Sequence, residues 1–157
     1  MEKFLADSSA TEKLGLLLGR HLKDGDVLCL SGDLGAGKTL LSRGIATALG
    51  VAPEAVTSPT FAIMNVYEGR ELEVRHFDLY RLNRREELED IGFEEYAGGD
   101  GVTLIEWAEL FPQQLPEEYL QVVLRHEGVG RRAVLTAQGE RYEHLLKEVE
   151  EDADFSH

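Results

Sequence analysis

The chain has 157 residues, 43% of them hydrophobic, with 16 basic residues against 30 acidic ones and a formal net charge of −14. That length gives one domain with a real core, and no apolar run is long enough to span a bilayer. The acidic balance disfavours direct, strong nucleic-acid binding over most of the surface, and the single cysteine, Cys29, excludes an intramolecular disulfide. With no charged-then-apolar leader at its start, the chain is expected in a reducing cytoplasm.

Leu14, Leu17, Leu18 and Leu22 form an apolar stripe, and the spacing predicts a helix over residues 9–21. Asp24-Gly25-Asp26 then turns the chain into the first predicted strand, Val27-Leu28-Cys29-Leu30, where Cys29 reads as a small buried hydrophobe. Gly32-Asp33-Leu34-Gly35-Ala36-Gly37-Lys38-Thr39 follows, and after it Leu40, Leu41, Ile45, Ala48 and Leu49 recur at helical spacing up to a stop at Gly50. Thr57-Ser58-Pro59-Thr60 is a stiff connector. Residues 61–67 and 72–79 read as two strands joined by a hairpin turn at Glu68-Gly69-Arg70-Glu71. A short exposed helix is expected over 84–90. Val102-Thr103-Leu104-Ile105 is a buried strand ending at Glu106-Trp107. Two further strands, near 120–124 and 133–137, flank Gly128-Val129-Gly130, and a final helix starts at about Glu140. Glu148, Glu150, Glu151, Asp152 and Asp154 crowd the end, which reads as a frayed, solvated helix terminus. The expected organisation is a single α/β domain over 1–150, P-loop NTPase-like, with a central mixed β-sheet flanked by helices, and an acidic tail over 151–157.

The glycine-rich run matches the phosphate-loop pattern G-x-x-x-x-G-K-[ST] at every fixed position, and it lies between a strand and a helix as that pattern requires. The glycines let successive backbone N–H groups turn inward toward phosphate oxygens, and the following helix directs its positive dipole end at the same anion. Lys38 adds a mobile charge for the outer phosphates, and Thr39 offers a hydroxyl to a bridging magnesium ion. The side chain of Asp33 is expected to turn away from the phosphates it would repel. Such a site needs a further acid, commonly at the end of an apolar strand beside the loop strand. Glu106 fits best. Asp78, after Val74-Arg75-His76-Phe77, is the next candidate, for ordering either the water shell of the metal or the attacking water.

Five motifs occur in order: GDLGAGKT at 32–39, SPTF at 58–61, HFDLYR at 76–81, EDIG at 89–92 and IEW at 105–107. Together they resemble the bacterial TsaE family, the small ATPase of tRNA threonylcarbamoyladenosine synthesis, and the likeness runs from Thr11 to the strand around Arg131. The resemblance implies magnesium-dependent ATP hydrolysis in support of two partners, the transferase TsaD and its inactive paralogue TsaB, which move a threonylcarbamoyl group onto adenosine 37 of tRNA. It further implies that Gly35, Ala36, Gly37, Lys38 and Thr39 hold the phosphates, that Thr39 and Glu106 hold Mg2+, that Asp78 lies in the active centre with Lys38 and Glu106, and that Thr11 and either Arg131 or Arg132 lie near the nucleotide. Ser58 to Phe61 would form a segment that responds to the γ-phosphate.

Several residues carry two readings. His76 is a proton carrier or a structural hydrogen-bonding residue. Phe77 and Tyr80 read as core, and Trp107 either packs beside the nucleotide or fills the sheet edge. Arg81, Arg84 and Arg85 form a solvated helix face, a partner contact or a phosphate clamp. A small-molecule kinase with Arg81 to Arg85 as its lid is the alternative function, and a nucleotide-gated switch that hardly turns over is a third.

Overall fold

The computed structural model describes residues 1–33, 35–56, 64–80, 82, 85–97 and 99–155. The connector at Ser58, Pro59 and Thr60 with Phe61, and Arg81 and Arg84 of the basic segment, lie outside the described residues.

Among the described residues, seven strands form one sheet: β1 (Glu2–Leu5), β2 (Val27–Gly32), β3 (Met64–Glu68), β4 (Glu73–Asp78), β5 (Val102–Glu106), β6 (Tyr119–Glu127) and β7 (Gly130–Gln138), in the order β1-β7-β6-β2-β5-β4-β3. The pairs β6–β2, β2–β5 and β5–β4 are parallel, whereas β1–β7, β7–β6 and β4–β3 are antiparallel. This is the mixed sheet the sequence predicts. The helices are α1 (Ser8–Arg20), α2 (Lys38–Ala48), α3 (Arg85–Asp90), α4 (Phe93–Tyr96) and α5 (Glu140–Phe155). None of those described is long and apolar enough to cross a membrane.

The central strands β2 and β5 are almost wholly buried because both of their faces are covered. Leu28, Leu30, Val74, Val102 and Leu104 pack with α1, α2 and α5 on one face. Val27, Cys29, Phe77 and Ile105 pack with Leu88, Phe93, Ala108 and Phe111 on the other. Burial raises the Cys29 thiol to about 12, as expected of an inert buried hydrophobe. Helices α1 and α2 cross at backbone contact: a Cβ on Gly15 would strike the Leu41 carbonyl, and one on Gly44 would strike that of Glu12. That crossing sets Thr11 of α1 beside the start of α2.

Three features depart from the expected order. β1 precedes the strand read as first and pairs with β7 from the opposite end of the chain. The single-turn α4 was not anticipated. The acidic run expected to fray is helical to Phe155, and Asp152 lies 2.7 Å from His21 Nε2 and 3.5 Å from Arg20 on α1.

Candidate nucleotide site

Parallel strands bring their C-terminal ends to one edge of a sheet, and β2, β5 and β4 do so here in register: Leu30 stands opposite Glu106, and Glu106 opposite Asp78. The loop leaves β2 at Gly32, where a Cβ would collide with the Leu124 carbonyl of β6, so this position admits only glycine. Asp33 is drawn to the same strand. Its N–H donates to the Leu124 carbonyl at 3.2 Å, and its carboxylate accepts the His126 N–H at 3.2 Å, away from the loop interior as expected. Gly37 has φ +103°, and it starts α2 without any side-chain cap. The first N–H groups of α2 therefore lie at the cleft with no side-chain cap among the described residues, which is the arrangement that binds anions.

Lys38 is buried. Its Nζ donates to the Gly32 carbonyl at 3.3 Å and lies 3.9 Å above the centre of the Trp107 ring. No carboxylate among the described residues pairs with it, so a buried ammonium waits in the cleft with only a carbonyl and a ring face as counterparts. Trp107 reaches this place through a backbone φ of +63°, the one positive value among the described non-glycine residues. The bend sends the chain from β5 into a short 3-10 turn (Ala108–Leu110) and seats the indole against Tyr80, ring centres 4.9 Å apart. A bulky residue in this conformation stores strain, and such strain gathers at functional sites.

Glu106 ends β5, buried, with Oε2 2.6 Å from His76 Nε2. Asp78 ends β4, where its Oδ1 accepts the Tyr80 N–H at 3.1 Å. Burial raises the Asp78 carboxyl above its ordinary value; the Tyr80 N–H opposes that shift, the Glu106 charge adds to it, and Lys38 opposes it. Lys38, Thr39, Asp78, Tyr80, Glu106 and Trp107 line one cleft of about 470 Å³. The candidate acids, the lysine and the threonine therefore share one space.

Across the loop, Gly35, Ala36 and Gly37 also border a cavity of about 340 Å³ formed with Asp7, Thr11, Leu40, Val129 and Arg131. Arg131 donates to the carbonyls of Gly130 at 2.8 Å and Gly35 at 3.4 Å. Arg132, one residue on and so on the other face of β7, pairs instead with Glu127 at 3.0 Å. Of the two arginines left open by the sequence, Arg131 is the one beside the loop. Sequence reasoning missed Asp7, the N-cap of α1, and Val129, 97% exposed at the β6–β7 turn. A glycine on each side of Val129 was its only signal.

Among the described residues no group of three His, Cys, Asp or Glu side chains could hold a metal ion unaided. The donors present are hard oxygens, the Thr39 hydroxyl and the Glu106 carboxylate. That set fits magnesium, which takes one or two carboxylates and completes its shell with water and substrate phosphates.

The family model for threonylcarbamoyl adenosine biosynthesis protein TsaE matches residues 5–134. The chain is 45% identical over 140 residues to the tRNA threonylcarbamoyladenosine biosynthesis protein TsaE of Bacillus subtilis, covering 88% of this chain and 87% of that one. The protein of the same description from Treponema pallidum is 42% identical over 127 residues, covering 81% of this chain and 93% of its own. A crystal structure of Bacillus subtilis YdiB superimposes with a TM-score of 0.82 at 36% identity, covering 98% of this chain and 95% of that chain. Sequence and fold thus agree along nearly the whole length, and the chain belongs to the TsaE family of threonylcarbamoyl adenosine biosynthesis proteins.

Proposed function

We propose that this protein is a magnesium-dependent ATPase that supports threonylcarbamoyl transfer to adenosine 37 of tRNA by acting, in the cytoplasm, on a complex of TsaD and TsaB. The observation that carries the reading is the buried Lys38, with no carboxylate partner among the described residues, beside a helix start that its N-cap Gly37 leaves without a side-chain cap, and with Glu106 and Asp78 in the same cleft. Phosphates would satisfy the N–H groups of the loop and the Lys38 ammonium together. Thr39 and Glu106 would hold magnesium, which neutralises charge building on the phosphates as the terminal bond breaks. Asp78, facing the cleft one strand further out, would orient the attacking water. Thr11 and Arg131 would border the nucleoside on the far side of the loop, in the cavity that shares Gly35 and Gly37 with the phosphate side.

The net charge of −14 supports docking on proteins over docking on tRNA in this reading. A phosphate-release assay on the purified chain, alone and then with TsaD and TsaB, tests the proposal. Slow release that rises with the partners and requires magnesium is expected. Phosphate appearing on a small-molecule acceptor instead of in water would support a kinase, and partner binding without turnover would support a switch.

A further inference from the structure

His76 lies in the middle of β4, 0% exposed. It stands two residues before Asp78 and in register with Leu104, so it shares the sheet face that carries Leu104, Glu106, Leu28 and Leu30. A leucine would suit that face. The imidazole instead brings two polar nitrogens into it, and among the described residues only one has a partner: Nε2 meets Glu106 Oε2 at 2.6 Å, while Nδ1 is buried without one. An unmet buried polar atom costs about 1–3 kcal/mol, so packing alone does not account for a histidine here.

Resting on the ATPase reading, we infer that His76 is a positioning residue: its Nε2–H holds one oxygen of Glu106 and so commits the other to the metal site beside Thr39. A carboxylate only accepts hydrogen bonds, so the hydrogen between the two groups sits on Nε2. A second hydrogen on Nδ1 would be a buried donor with no acceptor, which leaves Nδ1 as a bare lone pair. The ring is enclosed on all sides and touches no solvent, so it holds its neighbour in place and does not carry protons to and fro. Oriented in this way, a flexible glutamate loses rotamer freedom before any ion arrives, and less ordering remains to be done on binding. Hydrogen-bonded supports of metal-ligating side chains work on this principle.

The test compares His76→Leu, which deletes the donor, with His76→Gln, whose amide N–H reaches about as far as Nε2. Manganese, as a paramagnetic stand-in for magnesium, is titrated into the protein–ADP complex and bound metal is followed by electron paramagnetic resonance. ADP affinity without metal is measured by calorimetry. In His76→Leu, metal affinity should fall by about 10-fold or more while metal-free ADP affinity is kept. His76→Gln should recover most of the metal affinity. In a Glu106→Gln background, His76→Leu should add no further loss, because it acts only through Glu106. Equal metal loss in the leucine and glutamine variants, or a full additional loss in the double variant, overturns the inference. Should His76→Leu not fold, nitrogen-15 spectra of the unaltered protein decide: hydrogen on Nε2 and none on Nδ1 supports the inference, and hydrogen on Nδ1 alone overturns it. Failure of the unaltered protein to bind manganese–ADP at all is a different result. It defeats the ATPase reading, and the positioning role with it.

Discussion

The parallel half of the sheet and the antiparallel half use burial for different ends. Along β2 and β5, almost every side chain is inside; Thr103 is buried near the start of β5, and toward the C-terminal edge stand Glu106, His76 on the adjacent β4, and Lys38 just beyond in the loop helix. Along β6, buried Leu120, Val122 and Leu124 alternate with half-buried neighbours, and the strand becomes exposed from Arg125. Its charges meet at the surface, as Arg132 and Glu127 do. Strand direction explains the contrast. Parallel strands deliver several chain ends to one edge, where loops can bring polar groups together in a shielded cleft. Antiparallel hairpins send alternate ends to opposite edges and settle into an apolar face and a polar face. The buried charge that anchors the final helix lies at the far edge from the loop. Arg141 of α5 grips Asp26 at 2.8 and 3.0 Å, just before β2 begins. The loop edge thus gathers polar groups around an open cleft, whereas the far edge holds a satisfied pair that serves the fold.

If that division is right, changes at the loop edge should damage binding and turnover far more than stability. Lys38→Ala removes the one ammonium in the cleft. A charge-assisted bond to phosphate contributes about 1.5–3 kcal/mol, so ATP affinity should drop on the order of 10²-fold in calorimetric titration. Unchanged affinity would end the phosphate-loop reading. Glu106→Gln keeps shape and can still accept the His76 hydrogen, but it loses the charge that would face the proposed metal. Nucleotide should still bind, and hydrolysis should fall by about 10²-fold or more. Neither substitution should lower the urea midpoint noticeably.

The opposite edge should show the reverse pattern. Arg141→Ala leaves Asp26 buried without its partner and also removes a donor from the His21 carbonyl at 3.0 Å. Breaking a well-buried pair costs about 3–5 kcal/mol. Arg141 is a quarter exposed, which reduces the expected loss to about 2 kcal/mol. The neighbouring tie, in which the Tyr142 hydroxyl accepts the Val27 N–H at 2.8 Å, keeps α5 docked. Urea unfolding should register the loss, with ATP affinity and turnover per folded molecule unchanged. A variant that lost turnover while keeping its stability would break the division between the two halves.

The parts legible in the sequence are those fixed by local pattern. The loop matches position by position, the leucine stripe marks α1, and four apolar residues lead directly to Glu106. What escaped depends on register between distant segments. Only Leu5 of β1 is buried, so four residues show no alternation to read, and pairing with β7 alone makes them a strand. The single turn of α4 is held by Phe93 packing edge-on against Phe77, ring centres 5.1 Å apart. Alternation along β7 puts Arg131 and Arg132 on opposite faces, but the sheet's pairing decides which face meets the loop. The partner of His76 is thirty residues away, on a neighbouring strand that no periodicity identifies. Asp152 near the acidic end of α5 meets Arg20 at the end of the first helix and His21 at its cap, residues that no local pattern links to it.

The smallest effect gives the sharpest comparison, because one carboxylate should trade stability for function. Burial and the Glu106 charge raise Asp78 above the ordinary aspartate value of 3.8. As pH rises, the unfolded chain therefore releases this proton first, and between the two values the folded state holds more protons than the unfolded one. Stability contributed by the protonated group is full below the unfolded value and is lost as pH climbs through the folded value; near neutrality the loss is complete. Asp78→Asn cannot ionise, yet its side-chain oxygen can still accept the Tyr80 N–H. The variant should thus be slightly more stable than its parent at about pH 7, with the gain shrinking as pH is lowered toward about 4. Its ATP hydrolysis should be impaired over the same range, since an amide cannot draw on the attacking water as a carboxylate does. Urea midpoints measured across that window, beside phosphate release at the upper end, test both halves of the statement. A gain that did not change with pH would assign the effect to packing instead of charge. Normal turnover in the variant would remove Asp78 from the reacting centre and leave Glu106 as the only carboxylate with a role there.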